Sequence, residues 1–322
     1  MDSPYSRWES FDASWRELAS RHGAEERIGE SVEGRPIRAY SFGPAGAPAV
    51  MFTGLLHGVE VIGAIALREV ARALVGGAGL SRGLADQLRF VFAPIVNPDA
   101  YAANAERVAR GARAWVRGNA RGVDLNRNFA PAGPARSASP FAGSRWAFLP
   151  HFAGPHPYSE PETRAVRDLA LATRPKLALG FHSFGNLLLY PWGFTARRNP
   201  RAVEYERLGR AFRASQPGAR YTLRQASGLY RTQGDLDDWL DAELGTLALT
   251  VEVGTLDRRL LTLSRLLDPF WWMNPLDVRP TVENTLHGVL GLLEAACSSA
   301  RAVDHPTEPL EPRRGIALAA RR

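Results

Sequence analysis

The pattern between residues 47 and 94 constrains the fold more than any other part of the chain. Residues 47–56, APAVMFTGLL, form a nearly unbroken apolar run, which is typical of a strand buried on both faces. Residues 59–75 then place apolar side chains at helical spacing, and residues 88–94, LRFVFAP, form a second buried strand. This strand-helix-strand order predicts an α/β fold with a mixed, mostly parallel central sheet flanked by helices.

Further elements are predicted on both sides of this unit. Trp8, Phe11, Trp15 and Leu18 recur at helical spacing and indicate a short amphipathic helix over about residues 8–21. Periodicity and apolar runs predict strands at 36–42, 177–181 and 247–253 and helices near 161–173, 202–214 and 281–296.

The length and composition favour one large domain with short appendages. A chain of 322 residues that is 45% hydrophobic can bury a substantial core. We expect an N-terminal helical extension over 1–25, a catalytic domain over 26–299 and a disordered tail over 300–322. Residues 97–158 are rich in Gly, Pro, Asn and Arg, which predicts a long irregular region of the functional kind.

The charge distribution argues against nucleic-acid binding. The formal net charge is +7, but the basic residues are almost all arginine and are scattered among acidic residues. A nucleic-acid interface needs a clustered basic patch instead. We therefore expect no nucleic-acid partner, and the sequence implies no partner protein.

Cysteine content and hydropathy limit the site chemistry and the location. Cys297 is the single cysteine, so an intrachain disulfide and a thiolate zinc site are both excluded. The first residues contain no signal-like apolar region, and the chain has no apolar run of about 18 residues. We expect a cytoplasmic protein without a membrane segment.

Metal-ligand residues follow two of the buried strands. His57 and Glu60 are three residues apart where the first strand exits, and His182 directly follows the strand at 177–181. Alone, each histidine is more typical of a capping or core residue. Together the three residues make a two-histidine, one-carboxylate set that leaves a fourth position open for water, which is the arrangement of a catalytic zinc site.

Two further features suit chemistry at such a site. Glu252 is the single charge in the apolar strand LALTVEVG, so it is either paired with an arginine or used as a general base and acid. Residues 117–129, RGNARGVDLNRNF, are dense in guanidinium and amide donors, which suits carboxylate recognition. A solvated basic loop would have the same composition.

Several short motifs occur in an order that resembles a known family. They are SVEGRPI at 31–37, the pair His57 and Glu60, NPDAY at 97–101, GVDLNRNF at 122–129, SEPET at 159–163, HSFGNLLLYPWG at 182–193 and TVEVG at 250–254. Tyr230 also precedes Glu252 at the family's spacing. The chain resembles the M14 zinc metallocarboxypeptidases from about residue 30 to about residue 294.

The resemblance implies a role for individual residues. His57, Glu60 and His182 would bind one Zn²⁺ per chain, and Glu252 would be the general base and acid. Arg117 would stabilise the oxyanion, although Arg113 would take that role if the loop is shifted. Asn126 and Arg127 would hold the substrate's terminal carboxylate, and Tyr230 would close over the substrate.

The resemblance also leaves the substrate open at two positions. Val59 stands where digestive members of the family carry an arginine that contacts longer peptides. Asp237, seven residues after Tyr230, occupies the family's specificity position, where an acidic residue accompanies basic substrates. The stretch Asp235, Asp237 and Asp238 would read equally well as a polar turn that starts a helix.

Three functions follow as hypotheses. The first is a metallocarboxypeptidase that releases a C-terminal residue, with basic residues favoured by Asp237. The second is a murein peptide amidase that cuts the bond between γ-D-glutamate and diaminopimelate, which the expected cytoplasmic location favours. The third is a non-catalytic member that only binds a peptide. The expected partner is in each case a small peptide or murein-peptide ligand.

Overall fold

The computed structural model describes Tyr5 and residues 8–76, 83–84, 86–133, 142–149, 151–256 and 263–304. Its centre is one sheet of eight strands within these residues. The strands are β1 (Ala24–Glu30), β2 (Pro36–Phe42), β3 (Ala49–Gly54), β4 (Arg89–Ala93), β5 (Leu177–His182), β6 (Leu187–Tyr190), β7 (Thr222–Gln225) and β8 (Leu247–Glu252).

Helices cover both faces of the sheet. They are α1 (Trp8–His22), α2 (Val61–Gly76), α3 (Pro98–Ala109), α4 (Pro161–Thr173), α5 (Ala202–Ser215), α6 (Leu236–Leu244), α7 (Leu263–Leu266), α8 (Phe270–Met273) and α9 (Val278–Asp304). Two short 3-10 turns lie at Leu125–Arg127 and Ala226–Gly228. Among the residues that the structure describes, no helix is both long enough and apolar enough to cross a membrane.

The strand order is β1-β2-β4-β3-β5-β8-β6-β7. Strands β4, β3, β5 and β8 run parallel, whereas β1, β2 and β6 form antiparallel pairs at the flanks. The prediction of a mixed, mostly parallel sheet is therefore confirmed. The chain leaves β3 to form β4 on one side and later returns to form β5 on the other, which makes a topological switch point where α/β proteins bind ligands.

The core has two parts because alternate side chains of the buried strands point to opposite faces. On β3, Phe52 packs in the cluster that contains residues of α1, α2, α5 and α9. Its neighbour Met51 packs in the other cluster, with residues of α4 and α6. Trp15 of α1 stacks on Tyr40 of β2 at 5.5 Å between ring centroids, so this helix docks onto the sheet.

The region at 97–158 is more ordered than its composition suggests, and the prediction of an irregular region is wrong for its first part. Helix α3 begins there, with the Asn97 side chain accepting a hydrogen bond from the Ala100 N–H and Pro98 in the first turn. Asn104, on its inner face, is fully buried and exchanges two hydrogen bonds with the backbone of Val116. A polar residue at a core position hides the helical periodicity.

Element boundaries differ from the predictions at several places. Strands β6 and β7 and most of α6 were not predicted, because they are short and their apolar residues do not alternate clearly. Strand β1 begins at Ala24, inside the expected extension, and pairs with β2. Helix α9 continues to Asp304, past the expected start of the tail, and residues 305–322 lie outside the described residues.

Candidate metal centre and active-site cleft

The turn between β3 and α2 carries His57 and Glu60 and is held tightly against α3. The Asn97 N–H donates to the carbonyl of Leu55 at 2.9 Å, and a Cβ at Gly58 would lie 2.3 Å from the Cβ of Ala100. Only glycine fits such a close approach. The turn is therefore fixed in place before any ligand binds.

The three candidate metal ligands converge at the carboxyl ends of β3 and β5, beside the switch point. Nδ1 of His57 lies 3.0 Å from Oε1 of Glu60, and Nδ1 of His182 lies 2.8 Å from Oε2 of Glu60. The two Nδ1 atoms are 3.2 Å apart, and ligand atoms of all three buried residues lie within 4.8 Å of one another. The sequence-predicted ligand set is thus brought together.

The donor set fits zinc. Two imidazole nitrogens and one carboxylate are a donor set that catalytic zinc sites use. Nε2 of His57 lies 2.9 Å from Oδ1 of Asp124, and a proton on Nε2 directed at this carboxylate leaves the Nδ1 lone pair free for a metal. His57, Glu60 and His182 would hold the ion.

Asp124 lies within the motif GVDLNRNF, and the sequence predicted no role for it. It is buried, and besides His57 it accepts a hydrogen bond from Nε of Arg117 at 3.1 Å. Nη1 of Arg117 in turn lies 3.0 Å from Oε1 of Glu60. The signal in the sequence that could have indicated a role for Asp124 was a single aspartate in a motif that is rich in hydrogen-bond donors and lies outside the predicted strands.

The structure distinguishes the positions of the two candidate arginines, Arg117 and Arg113. Arg117 lines the cleft beside Glu60, whereas Arg113 is exposed and does not line it. The cation beside the metal ligands is therefore Arg117.

Glu252 ends β8 next to the ligands. It is the register partner of His182 on the neighbouring parallel strand, and it lines the same cleft. Burial, reinforced by the charge of Glu60, raises the pKa of the Glu252 carboxyl to about 7. The expected alternative, an ion pair with an arginine, is absent among the described residues.

The 3-10 turn at 125–127 places Asn126 and Arg127 on the cleft wall. Asp124 caps this turn by accepting from the Asn126 N–H at 3.1 Å, and Oδ1 of Asn126 accepts from the Leu236 N–H at 2.9 Å. The turn is thereby tied both to the ligand region and to the start of α6. Arg127 is buried along most of its length and lines the cleft.

Tyr230 lies on the cleft wall, near the start of the segment between the 3-10 turn at 226–228 and α6. It is half-buried, and burial raises the pKa of its hydroxyl above the ordinary value. The phenol is therefore neutral at physiological pH and able to donate a hydrogen bond.

The three aspartates at the start of α6 have different environments. Asp235 caps the helix by accepting from the Asp238 N–H at 3.0 Å, and the Asp238 carboxylate accepts from the backbone N–H groups of Gly193 and Phe194 at 2.9 and 3.1 Å. All three line the cleft, and the Asp237 carboxylate accepts a hydrogen bond from the hydroxyl of Thr250. The stretch therefore starts a helix, as one of the two interpretations predicted, and the specificity role of Asp237 stays a prediction.

Val59 lies between His57 and Glu60 in the sequence, but its side chain does not point toward the cleft. Its side chain is fully buried in the core and does not line the cleft, and its carbonyl accepts a hydrogen bond from Nδ2 of Asn274 at 2.8 Å. The Val59 side chain therefore lies in the core and outside the cleft that the described residues line.

The described side chains enclose a cleft of about 210 Å³ above the carboxyl ends of the parallel strands. Metal ligands, Arg117 and Glu252 line one part of it, and Asp237, Thr250, Thr232 and Asp235 line another. The cleft lies at the switch point of the sheet and combines two histidines and a carboxylate that could hold a metal with a second buried carboxylate, Glu252. This combination is that of a metal-dependent hydrolase.

Comparisons with known proteins identify the family of hydrolases to which this chain belongs. The profile of the family described as zinc carboxypeptidase, Peptidase M14, matches residues 13–286. Carboxypeptidase B from Astacus astacus is 30% identical over 259 residues, which cover 76% of this chain and 82% of that protein. The chain belongs to the zinc carboxypeptidase family, whose members are zinc enzymes, and the predicted zinc cofactor is thereby confirmed.

Solved structures share the fold. Carboxypeptidase A from Helicoverpa armigera superposes with a TM-score of 0.73 at 24% identity, covering 92% of this chain and 74% of that one. Murein-tripeptide amidase from Escherichia coli O157 gives 0.51 at 22% identity, covering 84% and 91%. The chain spans only 58% to 62% of the length of three further carboxypeptidases that it matches.

Proposed function

We propose that this protein is a metallocarboxypeptidase that hydrolyses the amide bond before a C-terminal residue and prefers lysine or arginine at that position. The observation that carries the preference is the Asp237 carboxylate on the cleft wall. The family membership supports the peptidase reaction, and carboxypeptidase B from Astacus astacus is among the relatives.

The proposed reaction divides among the residues of the cleft. Zinc, when bound, supplies a Lewis acid for the scissile carbonyl and a more acidic water. Glu252 accepts a proton from the attacking water and delivers it to the leaving nitrogen, a role for which a pKa near neutrality is suited. Arg117 supplies a fixed positive charge beside the metal ligands, where negative charge develops on the carbonyl oxygen.

Recognition of the chain end falls to the turn at 125–127. The guanidinium of Arg127 and the amide of Asn126 lie on the cleft wall, and a guanidinium can bind a carboxylate with two parallel hydrogen bonds. Tyr230 contributes a hydroxyl donor on the same wall. These donors restrict the reaction to the residue that carries a free carboxylate.

Asp237 supports the basic preference because its charge is not otherwise used. The carboxylate has a hydroxyl partner in Thr250, and among the described residues it forms no ion pair with an arginine, lysine or histidine. A buried carboxylate without a cation is costly. The side chain of a C-terminal lysine or arginine would provide the missing charge.

The pocket lining favours this substrate over diaminopimelate. A diaminopimelate side chain carries a carboxylate beside its amino group, and that carboxylate would enter a wall that already contains Asp235, Asp237 and Asp238. Among the described lining residues the arginines are Arg117 and Arg127, which have the roles proposed above. A second carboxylate would therefore meet repulsion, whereas a lysine or arginine side chain would not.

The test is incubation of zinc-loaded protein with hippuryl-Arg, hippuryl-Lys, hippuryl-Phe and a murein tripeptide that contains γ-D-glutamyl-diaminopimelate, with products identified by mass spectrometry. We expect kcat/KM for the two basic substrates to exceed that for hippuryl-Phe by about tenfold or more. Cleavage of the murein tripeptide alone would assign the amidase reaction. Turnover of none of the four would refute both enzymatic functions and favour a peptide-binding member.

A further inference from the structure

The Asp124 carboxylate accepts four hydrogen bonds, of which one comes from outside the residues discussed so far. Oδ1 lies 2.9 Å from Nε2 of His57 and 3.1 Å from the Asn126 N–H. Oδ2 lies 3.1 Å from Nε of Arg117 and 2.9 Å from Nδ1 of His151. Both oxygens are thus fully used, and His151 supplies one of the two donors at Oδ2.

His151 reaches Asp124 from a loop, in an unusual backbone conformation. Its φ is 64°, in the left-handed region that a non-glycine residue adopts at a cost of about 1 kcal/mol or more. The loop is held by the bridge between Ser144 and Phe152, and the Phe152 carbonyl accepts from the Asp124 N–H at 2.8 Å. Two adjacent loop residues therefore grip Asp124, one by its backbone and one by its side chain.

We propose that His151 is a positioning residue for the metal centre. By donating from Nδ1 to Oδ2, it fixes the rotation of the Asp124 carboxylate. That carboxylate in turn orients the imidazole of His57 toward the metal and the guanidinium of Arg117 toward the reacting carbonyl. His151 itself is not among the described residues that line the cleft.

The hydrogen bonds that the two Asp124 oxygens accept indicate which properties depend on His151. Removing the donor at Oδ2 leaves Arg117 as the described partner of that oxygen, so the rotation of the carboxylate is less tightly fixed. The orientation of His57 and Arg117 then loosens, which weakens zinc retention and the stabilisation of the transition state. Residues that support a metal ligand typically contribute about 10- to 100-fold to metal affinity or activity.

Three substitutions separate this role from a general effect on folding. His151→Asn keeps an N–H donor at the position of Nδ1, His151→Leu removes the donor, and His151→Gln moves the donor one bond further out. His156→Leu is the matched control, because His156 is an exposed histidine of the same region whose ring contacts the carbonyl of Pro157.

The measurements are zinc release to a competing chelator, the visible spectrum of the Co²⁺-substituted protein, the melting temperature, and kcat and KM for hippuryl-Arg. We expect His151→Leu and His151→Gln to release zinc and to lose kcat by about tenfold or more, with KM changed by less than about threefold. The Co²⁺ spectrum should change in both. His151→Asn and His156→Leu should resemble the wild-type protein.

Two results would overturn the proposal. One is zinc release and kcat within about twofold of wild type in His151→Leu or, if that variant does not fold, in His151→Gln. The other is a loss in His151→Asn as large as in His151→Leu, which would show that the Nδ1 donor is not what matters. The kcat comparison rests on the proposed peptidase function, but zinc release does not, so a wild-type protein without turnover would refute only that function.

Discussion

His182 and Glu252 are register partners at the carboxyl ends of the adjacent parallel strands β5 and β8. The Val253 N–H donates to the His182 carbonyl at 2.9 Å, so the pairing continues past the last strand residue. The proposed metal-ligand histidine and the proposed general base are consequently fixed relative to each other by sheet hydrogen bonds. Residues on strands are held more precisely than residues on loops, which suits a site that transfers protons.

Removal of the carboxylate at 252 should separate chemistry from metal binding. We expect Glu252→Gln to lower kcat by about 10²- to 10⁴-fold, because the amide cannot accept a proton from water. Zinc content, measured by elemental analysis, should stay the same. Glu243→Gln, an exposed change on α6, is the control. Wild-type kcat in Glu252→Gln would exclude the proposed role.

The two candidate arginines make a matched pair. Arg117→Lys keeps the positive charge but loses the fork that contacts both Glu60 and Asp124, and we expect kcat to fall by about 10²-fold or more with little change in KM. Arg113→Lys, on the surface, should be neutral. Steady-state kinetics on hippuryl-Arg decide the matter, and equal losses in the two variants would contradict the assignment.

Selectivity should depend on the charge at 237. We expect Asp237→Asn to lower kcat/KM for hippuryl-Arg by about 10²-fold and to leave hippuryl-Phe nearly unchanged, because only the cationic side chain loses its partner. Asp235→Asn is a stability control, since Asp235 caps α6. If Asp237→Asn lowers kcat/KM equally for both substrates, the residue supports the fold and does not determine specificity.

The same carboxyl predicts a pH-dependent selectivity. Burial raises the pKa of Asp237 to about 7. Below that pH the carboxyl is protonated and neutral, and above it the carboxylate attracts a cation. The ratio of kcat/KM for hippuryl-Arg to that for hippuryl-Phe should therefore rise with pH, with its midpoint near 7, and level off about one unit higher.

Taking this ratio cancels ionisations that affect both substrates, including that of Glu252. The control is Asp237→Asn, whose ratio should be flat across the same range. A wild-type ratio that does not change between about pH 5.5 and about pH 8 would argue against Asp237 as the group responsible.

Zinc should support both activity and stability. Metal analysis is expected to find one zinc per chain, and dialysis against a chelator should abolish hydrolysis until zinc is restored. At free zinc 100-fold above its dissociation constant the folded state gains about 2.7 kcal/mol, which calorimetry will detect as a higher melting temperature. His182→Ala should lose this shift, and an unchanged shift in that variant would place the zinc elsewhere.

Local patterns in the sequence were sufficient for much of the fold. Apolar runs at β3, β4, β5 and β8 predicted the parallel centre of the sheet, because strands buried on both faces need apolar residues at nearly every position. Helix α3 escaped prediction because buried Asn104 stands on its inner face. Its hydrogen bonds to Val116 satisfy the amide, but that partner is known only once the chain is folded.

The residues of the candidate site likewise include some that the sequence indicated and some whose roles it could not indicate. Strand ends and motif spacing indicated His57, Glu60, His182 and Glu252, since the carboxyl ends of parallel strands share one edge of the sheet. The roles of Asp124 and His151 could not be predicted, because their partners lie far away in the chain and meet through loop packing. Sequence spacing carries no information about such contacts.

The sequence by itself determined the α/β class, the metal-ligand set and the buried carboxylate on β8, because strand periodicity and ligand chemistry are local properties. The tertiary structure decided which arginine stands beside the ligands, what each of three neighbouring aspartates contacts on the cleft wall, and that Val59 lies in the core. Those outcomes depend on the direction in which each side chain points after long-range packing, and adjacent residues in a turn point in different directions.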